Sequence, residues 1–437
     1  MIFGLPAILG FIPLLLYIVL MIKGKDMIFS VLLCVLLGAV MTGETLTGFG
    51  QTLYTSLGSF LSLIGFTIIL GSGLGEVLTH TRVAHDIVYL VVGKAKLKSQ
   101  KQAVFLAMAT STILVALLGT MSGSNAILAP IIIPIVASLG LTPATLSVVL
   151  HGAGAVGLFV GPFVPPVVTI TGLTGLSYSE YMLNAGLPIG GIVWITTFFM
   201  AWRTQKQSEG KISYSEEDHV AENLSIPKGT RKGTIAFTVT MILMLIYGIT
   251  AKAGASYAIV VVLAAALITG FASGLSFTET LKIMVKGSSR MYGMFFMFLL
   301  LDPFLNYIAA SGAFDAIVSL ISPLIDAGGV TVFLILVALV GIFGISGAGV
   351  AQAKIVYDMF LPTVAALNVQ MGIWAMIVLV SSQITFFALP SADMMGNMGM
   401  AHATDMKPLL KNGVVITALV LIYVVVRSAL YAAGHQV

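Results

Sequence analysis

Two short runs of small and polar residues are the parts of this chain best suited to hold a ligand. One is Met121-Ser122-Gly123-Ser124-Asn125, and the other, far downstream, is Ile345-Ser346-Gly347-Ala348-Gly349. Each leads into an apolar arm closed by turn residues, Leu139-Gly140-Leu141-Thr142-Pro143 in the first and Leu367-Asn368-Val369-Gln370 in the second. Each is then followed by an apolar segment interrupted by proline, Gly161-Pro162-Phe163-Val164-Pro165-Pro166 and Ala388-Leu389-Pro390-Ser391. Glycine at such a corner lets a ligand approach the backbone. A helix that begins there offers free N–H groups and a positive dipole end, which suits a carboxylate. Carbonyls from the facing ends suit Na⁺, and Ser122, Asn125 and Ser346 can add oxygen ligands. Ser124, Gly347, Ala348 and Gly349 complete the two corners, while Pro165 with Thr169, and Pro390, Ser391 and Asp393, stand at the two breaks. Taken singly, either run could merely permit close helix packing. Paired, interrupted apolar segments at matching places point instead to a transporter's binding site.

The elements that must position these residues are membrane helices. Hydrophobic residues make up 58% of the 437 and charged residues only 9%, with a mean hydropathy of +1.06. A soluble domain carries about 25% charged residues, so the excess apolar surface here must face lipid. Repeated apolar runs of about 20 residues argue for helices rather than a barrel. The first run, Ile2 to Ile22, lacks a charged start and a small-residue cleavage site and reads as a retained helix. Spans are expected at 4–22, 27–42, 55–78 and 186–202, with hairpin arms at 103–120 and 126–139 and a broken segment at 144–171. The same order recurs as 234–251, 256–273, 291–310 and 413–433, with arms at 330–345 and 350–366 and a broken segment at 372–394. The expected fold is therefore all-α and polytopic, with about 10 transmembrane helices, two re-entrant hairpins and two broken helices. Residues 1–202 and 233–437 form two repeats joined by a polar cytoplasmic linker, 203–232.

Charge placement orients this map. Lys and Arg collect in cytoplasmic loops. With the N-terminus outside, the inner loops carry 18 of the 21 basic residues and the outer loops only Lys252; Lys354 and Arg427 lie within apolar segments. An odd number of spans per repeat inverts the second copy and leaves both termini outside, in a multi-pass protein of the cell's inner (plasma) membrane. The net charge of +4 follows from this loop topology and implies no nucleic-acid partner; lipid is the partner expected. Cys34, the one cysteine, cannot form an internal disulfide and reads as a small packing residue.

Four ionisable residues fall inside apolar segments of the second repeat: Asp302, Lys354, Asp358 and Asp393. Each should be paired or face water, because a mid-bilayer charge costs about 2.5–3.5 kcal/mol. Lys354 and Asp358 are four apart and can pair on one helix, in a structural role. Asp302 precedes Pro303 and is either a proton or cation site or a residue at a helix break. Asp393 is the first choice for a coupling ion or a substrate ammonium. Glu76 reads as a solvated residue at a span's end, and His151 as a hydrogen-bonded packing residue rather than a proton relay. Gly71-Ser72-Gly73-Leu74-Gly75 lacks the Gly-Lys-Ser/Thr of a nucleotide loop and is set aside. Residues 83–98 are expected to form an interfacial helix. No nucleophile–base pair, metal spacing or prosthetic-group motif points to an enzyme, and Na⁺ or H⁺ is the only cofactor expected.

Leu74-Gly75-Glu76, Thr81-Arg82-Val83-Ala84-His85-Asp86, Ser122–Asn125, Leu139–Pro143 and Pro162–Pro166 together resemble the ion transporter superfamily. That group includes citrate–metal and sodium–dicarboxylate symporters, gluconate permeases and sodium–proton antiporters. The resemblance implies two hairpins entering from opposite faces, a site between their tips, and a homodimer with scaffold and mobile parts. Sodium–dicarboxylate members carry Ser-Asn-Thr at the tips, where this chain has Ser122-Gly123-Ser124-Asn125 and Ser346-Gly347-Ala348-Gly349. The expected activity is secondary transport of a small anionic or zwitterionic solute, a carboxylate or amino acid, coupled to Na⁺ or H⁺ by alternating access. The alternative is a sodium–proton antiporter in which Asp302, Asp358 and Asp393 exchange the cations.

Overall fold

A computed structural model describes residues 6–23, 25–92, 97, 99–219, 229–343 and 349–434. The start of the first run, Lys94, Lys96, Lys98, the linker's 220–228 and the corner residues Ser346, Gly347 and Ala348 lie outside the described residues. Within the described residues the chain is helical: α1 (Ile12–Ile22), α2 (Met27–Thr42), α3 (Leu46–Ser56), α4 (Phe60–His80), α5 (Val83–Val92), α6 (Gln100–Leu118), α7 (Met121–Ser138), α8 (Pro143–Val160), α9 (Pro165–Thr174), α10 (Tyr178–Tyr181), α11 (Leu187–Ser208), α12 (Thr230–Thr250), α13 (Tyr257–Ala272), α14 (Phe277–Ser289), α15 (Tyr292–Ala310), α16 (Ala313–Ile342), α17 (Gly349–Ala366), α18 (Met371–Gln383), α19 (Thr385–Ala388), α20 (Ala392–Met400) and α21 (Lys407–Ala433). Nine spans among the described residues are long and apolar enough to cross a membrane, and shorter apolar helices accompany them.

Local sequence sets the boundaries. Asp26, Thr45, Ser59, Ser99 and Thr142 cap α2, α3, α4, α6 and α8 through side-chain oxygens, and Ser276 with Glu279 forms a capping box on α14. Such caps satisfy amide donors that a helix start leaves open. Gly119 closes α6 in the left-handed region at φ 75°, a conformation that costs glycine little.

The order of elements repeats. A short amphipathic helix precedes a span in α3–α4 and again in α14–α15. A hairpin follows in α6–α7 and in the second part of α16 with α17, and Gly329 (φ 61°, ψ −158°) breaks α16 just before that second hairpin. A broken helix comes next in each copy. In α8–α9 the chain is extended at Gly161 and Val164; in α18–α20 it is extended at Leu389 and Ser391. Proline cannot donate into a helix ladder and pushes the residue before it into the extended region, which explains both breaks.

The two hairpins enter from opposite ends of the bundle. At the base of the first, Gln100 Nε2 lies 3.4 Å from the Gly140 carbonyl, and Gln205 Nε2 donates to that carbonyl at 2.8 Å. Gln205 sits near the C-terminal end of α11. At the base of the second, the Gln370 amide donates to Tyr431 Oη at 2.9 Å, and Gly372 abuts Asn184, which precedes the N-terminal end of α11. The two bases thus contact opposite ends of α11, the second through a residue just before the helix.

The broken helices are central and the flanking spans peripheral. Of the apolar window in Met371–Ala388, 83% is buried, against 28% for Thr230–Thr250. Most of α12 is therefore exposed, while α18 is enclosed by protein, the environment that interrupted backbone requires.

Four elements differ from expectation. Residues 46–56 and 277–289 form amphipathic helices where loops were expected, because a helix this short carries no span-like hydropathy. The span expected at 55–78 begins at Phe60. The described part of the expected interfacial helix, α5, buries one face: Asp86 accepts from Thr234 Oγ1 at 2.6 Å and pairs with Arg231 at 3.2 Å.

The linker is anchored before it leaves the described residues. Tyr214 Oη donates to the Ala401 carbonyl at 3.1 Å, and Asp218 Oδ1 lies 2.8 Å from His402 Nδ1. Burial raises the Asp218 pKa, but hydrogen bonds from Ser215 and His402 outweigh it and hold the carboxyl below its usual range. A depressed acid contributes stability above its unfolded pKa, and that stability is lost as pH falls through the folded value. Protection of the amides at residues 214–219, measured as exchange relative to the intrinsic rate at each pH, is expected to be high at neutral pH and to fall below pH about 4. In Asp218→Asn that protection should already be low at pH 7.

Candidate functional site

The first corner turns at Gly119–Thr120, a few residues earlier than the Ser-Gly run. Met121 opens α7, so Ser122–Asn125 form its first turn. Ser124 Oγ donates back to the Thr120 carbonyl at 2.5 Å. Asn125 is fully buried. Its Nδ2 donates to the Leu150 carbonyl at 2.9 Å and to Asn397 Oδ1 at 2.7 Å, and its Oδ1 accepts from Ser111 Oγ at 2.8 Å. One amide therefore ties α6, α7, α8 and α20 together. Asn397 Nδ2 in turn donates to the Asp393 carbonyl at 2.8 Å, and Ser122 Oγ donates to Asp393 Oδ1 at 3.2 Å. Ser391 caps α20 by accepting from the Met394 amide, which places Asp393 in that helix's first turn.

The second hairpin has its own tie. Gln352, in the first turn of α17, donates from Nε2 to the Ser381 carbonyl at 2.7 Å and to the Gly341 carbonyl. An amide side chain near the start of each return helix thus reaches the first half of the adjoining broken helix. Gly349 opens α17 against α18; a Cβ there would lie 2.9 Å from Gln383 Nε2 and 3.2 Å from the Ser382 carbonyl.

These pieces surround one cavity of about 790 Å³. Ser122 and Gly123 reach it from the first hairpin, Pro165 and Pro166 from the first break, Gly349 from the second hairpin, and Gln383 and Asp393 from the second broken helix. The opposite wall is α4 with the α14–α15 junction, where Met291, Met294, Met297 and Phe298 make an apolar face. The cavity also reaches the Glu76–Arg290 ion pair, whose Arg290 is exposed. A second cavity of about 650 Å³ contains Phe60, Leu63, Tyr178, Glu180 and Lys252. Phe60 and Leu63 lie near one end of α4, whereas Ile68–Thr79 of the same helix border the first cavity. Phe163 and Pro165 also line a third, small cavity of about 30 Å³, Phe163 being shared with the second cavity and Pro165 with the first.

The structure brings Ser122, Gly123, Pro165, Gly349 and Asp393 to one cavity. Ser124 and Asn125 stand behind it. Thr169 is buried in α9, with no hydrogen-bond partner for Oγ1 among the described residues, and is not part of the cavity wall. Pro390 is exposed and outside the wall. Asp302 accepts from Ser56 Oγ at 2.9 Å and Asn306 Nδ2 at 3.3 Å, away from the cavity. The helix α15 runs on through Pro303. Lys354 and Asp358 pair with each other on α17. His151 Nε2 lies 3.2 Å from the Phe386 carbonyl, and its ring packs edge-on against Phe387.

Glu76 is the main correction. Read as a solvated end residue, it is only 13% exposed and pairs with Arg290 at 2.7 Å and Lys286 at 3.8 Å. Gly287 permits this: a Cβ there would lie 2.5 Å from Glu76 Cβ and 2.8 Å from the Ser72 carbonyl. Only a charge within a glycine-rich apolar run could have signalled the pair. Gln383 and Asn397 were also missed, since nothing local marks either amide. In a double-mutant cycle of Glu76→Gln and Arg290→Gln, a coupling of about 1 kcal/mol in thermal stability is expected. Arg290→Gln alone should be the milder variant, because Lys286 remains near Glu76.

Opposed hairpins, two broken helices and a shared central cavity define a multi-pass helical membrane protein with a transporter-type fold. The chain is similar to the YdaH transporter of Alcanivorax borkumensis, whose crystal structure is described as having an unusual topology. The two are 14% identical, with a TM-score of 0.60 over 89% of this chain and 90% of that one. No family model and no curated protein matches the sequence.

Proposed function

We propose that the protein is a secondary active transporter for a small organic anion or amino acid, coupled to Na⁺ or H⁺, working by alternating access. The observation that carries this reading is the 790 Å³ cavity, in which the starts of both return helices, the first break and the residues flanking the second break, Gln383 and Asp393, meet. That volume suits a small organic molecule. The cavity offers both kinds of polar recognition. The amide-rich starts of α7 and α17 favour a carboxylate, and Asp393, held by Ser122, favours a cation or an ammonium. Two cavities that border opposite ends of α4 fit an alternating mechanism. The motif resemblance to the ion transporter superfamily points the same way, and with it go a homodimer, the inner (plasma) membrane and termini outside the cytoplasm. Residues 1–202 and 233–437 act as two inverted repeats around the cavity, joined by the cytoplasmic linker.

The antiporter reading has less support. Asp302 and Asp358 are engaged with Ser56 and Lys354 rather than gathered with Asp393. Counterflow in proteoliposomes separates the two. A carboxylate or amino acid preloaded inside should drive accumulation of its labelled form. Na⁺-driven proton movement with no solute, and no counterflow across a broad screen, would replace the proposal with the antiporter.

A further inference from the structure

Away from the central cavity, a pocket of about 240 Å³ lies where the end of α11 meets the start of α21. Arg203, Lys211, Lys407 and Lys411 line it, against a single acid, Asp405. None of the four basic side chains makes an ion pair or side-chain hydrogen bond among the described residues, and all four are exposed. Asp405 is occupied in part by the Lys407 backbone amide at 2.9 Å. Four like charges around one concavity repel one another unless an anion sits among them.

The surface leading away from the pocket indicates which anion. On α11, Ile195 and Phe199 are 57% and 64% exposed, and the same i, i+4 row continues to Arg203 and Gln207. On α21, Lys407 and Lys411 are followed on their own face by Val414 and Ile422, 64% and 59% exposed. Each helix thus carries an exposed apolar row that ends in basic residues, and the basic ends of both rows line the same pocket. A soluble anion would use only the charges. A molecule with an anionic head and long apolar tails matches charges and rows together.

We propose that this pocket binds the phosphate headgroup of an anionic phospholipid, with its acyl chains along the apolar rows of α11 and α21. The site pins the linker's first residues and the last helix to the same lipid. It stands independently of the transport reading.

The test uses delipidated full-length protein, with lipid retention followed by native mass spectrometry and stability by thermal shift. Phosphatidylglycerol should be retained and should raise the Tm, and phosphatidylcholine should do neither. The variant Arg203→Gln/Lys211→Gln/Lys407→Gln/Lys411→Gln should lose this preference, at about fivefold in affinity for each charge removed. The pair Lys407→Gln/Lys411→Gln should lose part of it and serves if the fourfold variant does not fold. Neutralising four other exposed lysines, Lys23, Lys25, Lys232 and Lys282, should leave the preference intact. Equal losses in both fourfold variants would reduce the effect to overall charge and overturn the site. An equal Tm rise with inorganic phosphate alone would overturn the lipid assignment.

Discussion

Replacing Asn125 with leucine is expected to lower the Tm by several degrees and to abolish uptake. Leucine shares asparagine's branching at Cγ but is bulkier and makes no hydrogen bonds. It would strand three buried partners at once: Ser111 Oγ, the Leu150 carbonyl and Asn397 Oδ1. Each buried polar group left unpaired costs about 1–3 kcal/mol. Asn125 reads from sequence as a ligand-contacting residue, whose loss would spare the fold. The geometry gives it another task, holding α7 and α20 so that Ser122 can reach Asp393. Thermal unfolding and uptake should therefore fall together. A variant with full stability but no uptake would restore direct contact, and one with normal uptake would remove Asn125 from the site altogether.

Asp393→Asn is the complementary case. Asparagine keeps the shape and still accepts from Ser122 Oγ, so the fold should persist and the Tm should change little. What is lost is a negative charge facing the cavity. A hydrogen bond to a charged group contributes about 1.5–3 kcal/mol, so affinity for the coupling cation or the substrate ammonium should weaken roughly 10- to 150-fold. The readout is the Na⁺ or H⁺ dependence of uptake in proteoliposomes. An unchanged cation dependence, together with unchanged uptake of zwitterionic solutes, would take Asp393 out of the mechanism.

The legible and illegible parts of this protein divide on physical lines. Gly161–Pro166 and Leu389–Ser391 announced the two breaks, because proline acts on its own backbone and needs no distant partner. The hairpins were legible for a similar reason: short arms ended in Gly140 and Asn368, residues that tolerate the left-handed conformation both adopt. The exact corner was not, since Gly119, at the end of an apolar run, supplies the turn rather than Gly123 in the more polar Ser-Gly-Ser run. The helices α3 and α14 were hidden because amphipathic segments of 11 and 13 residues have neither a span's hydropathy nor a loop's composition. Least legible were the long-range pairs. Asn125 with Asn397 and Ser122 with Asp393 join residues far apart in the chain. Glu76 with Arg290 depends on the close approach that Gly287 allows between α4 and α14.

The central claim is that a solute occupies the cavity between Ser122 and Asp393. Thiol protection tests it most directly, since Cys34 is the one native cysteine and is buried. In a Cys34→Ala background, Ser122→Cys and, separately, Val350→Cys, which also lines the cavity, are labelled with a water-soluble maleimide. A solute that undergoes counterflow is then added at saturating concentration. The solute should slow labelling at both positions, one from each hairpin, while Lys282→Cys, at an exposed site, reacts at an unchanged rate. A transported solute that leaves both positions as reactive as before would contradict the central claim.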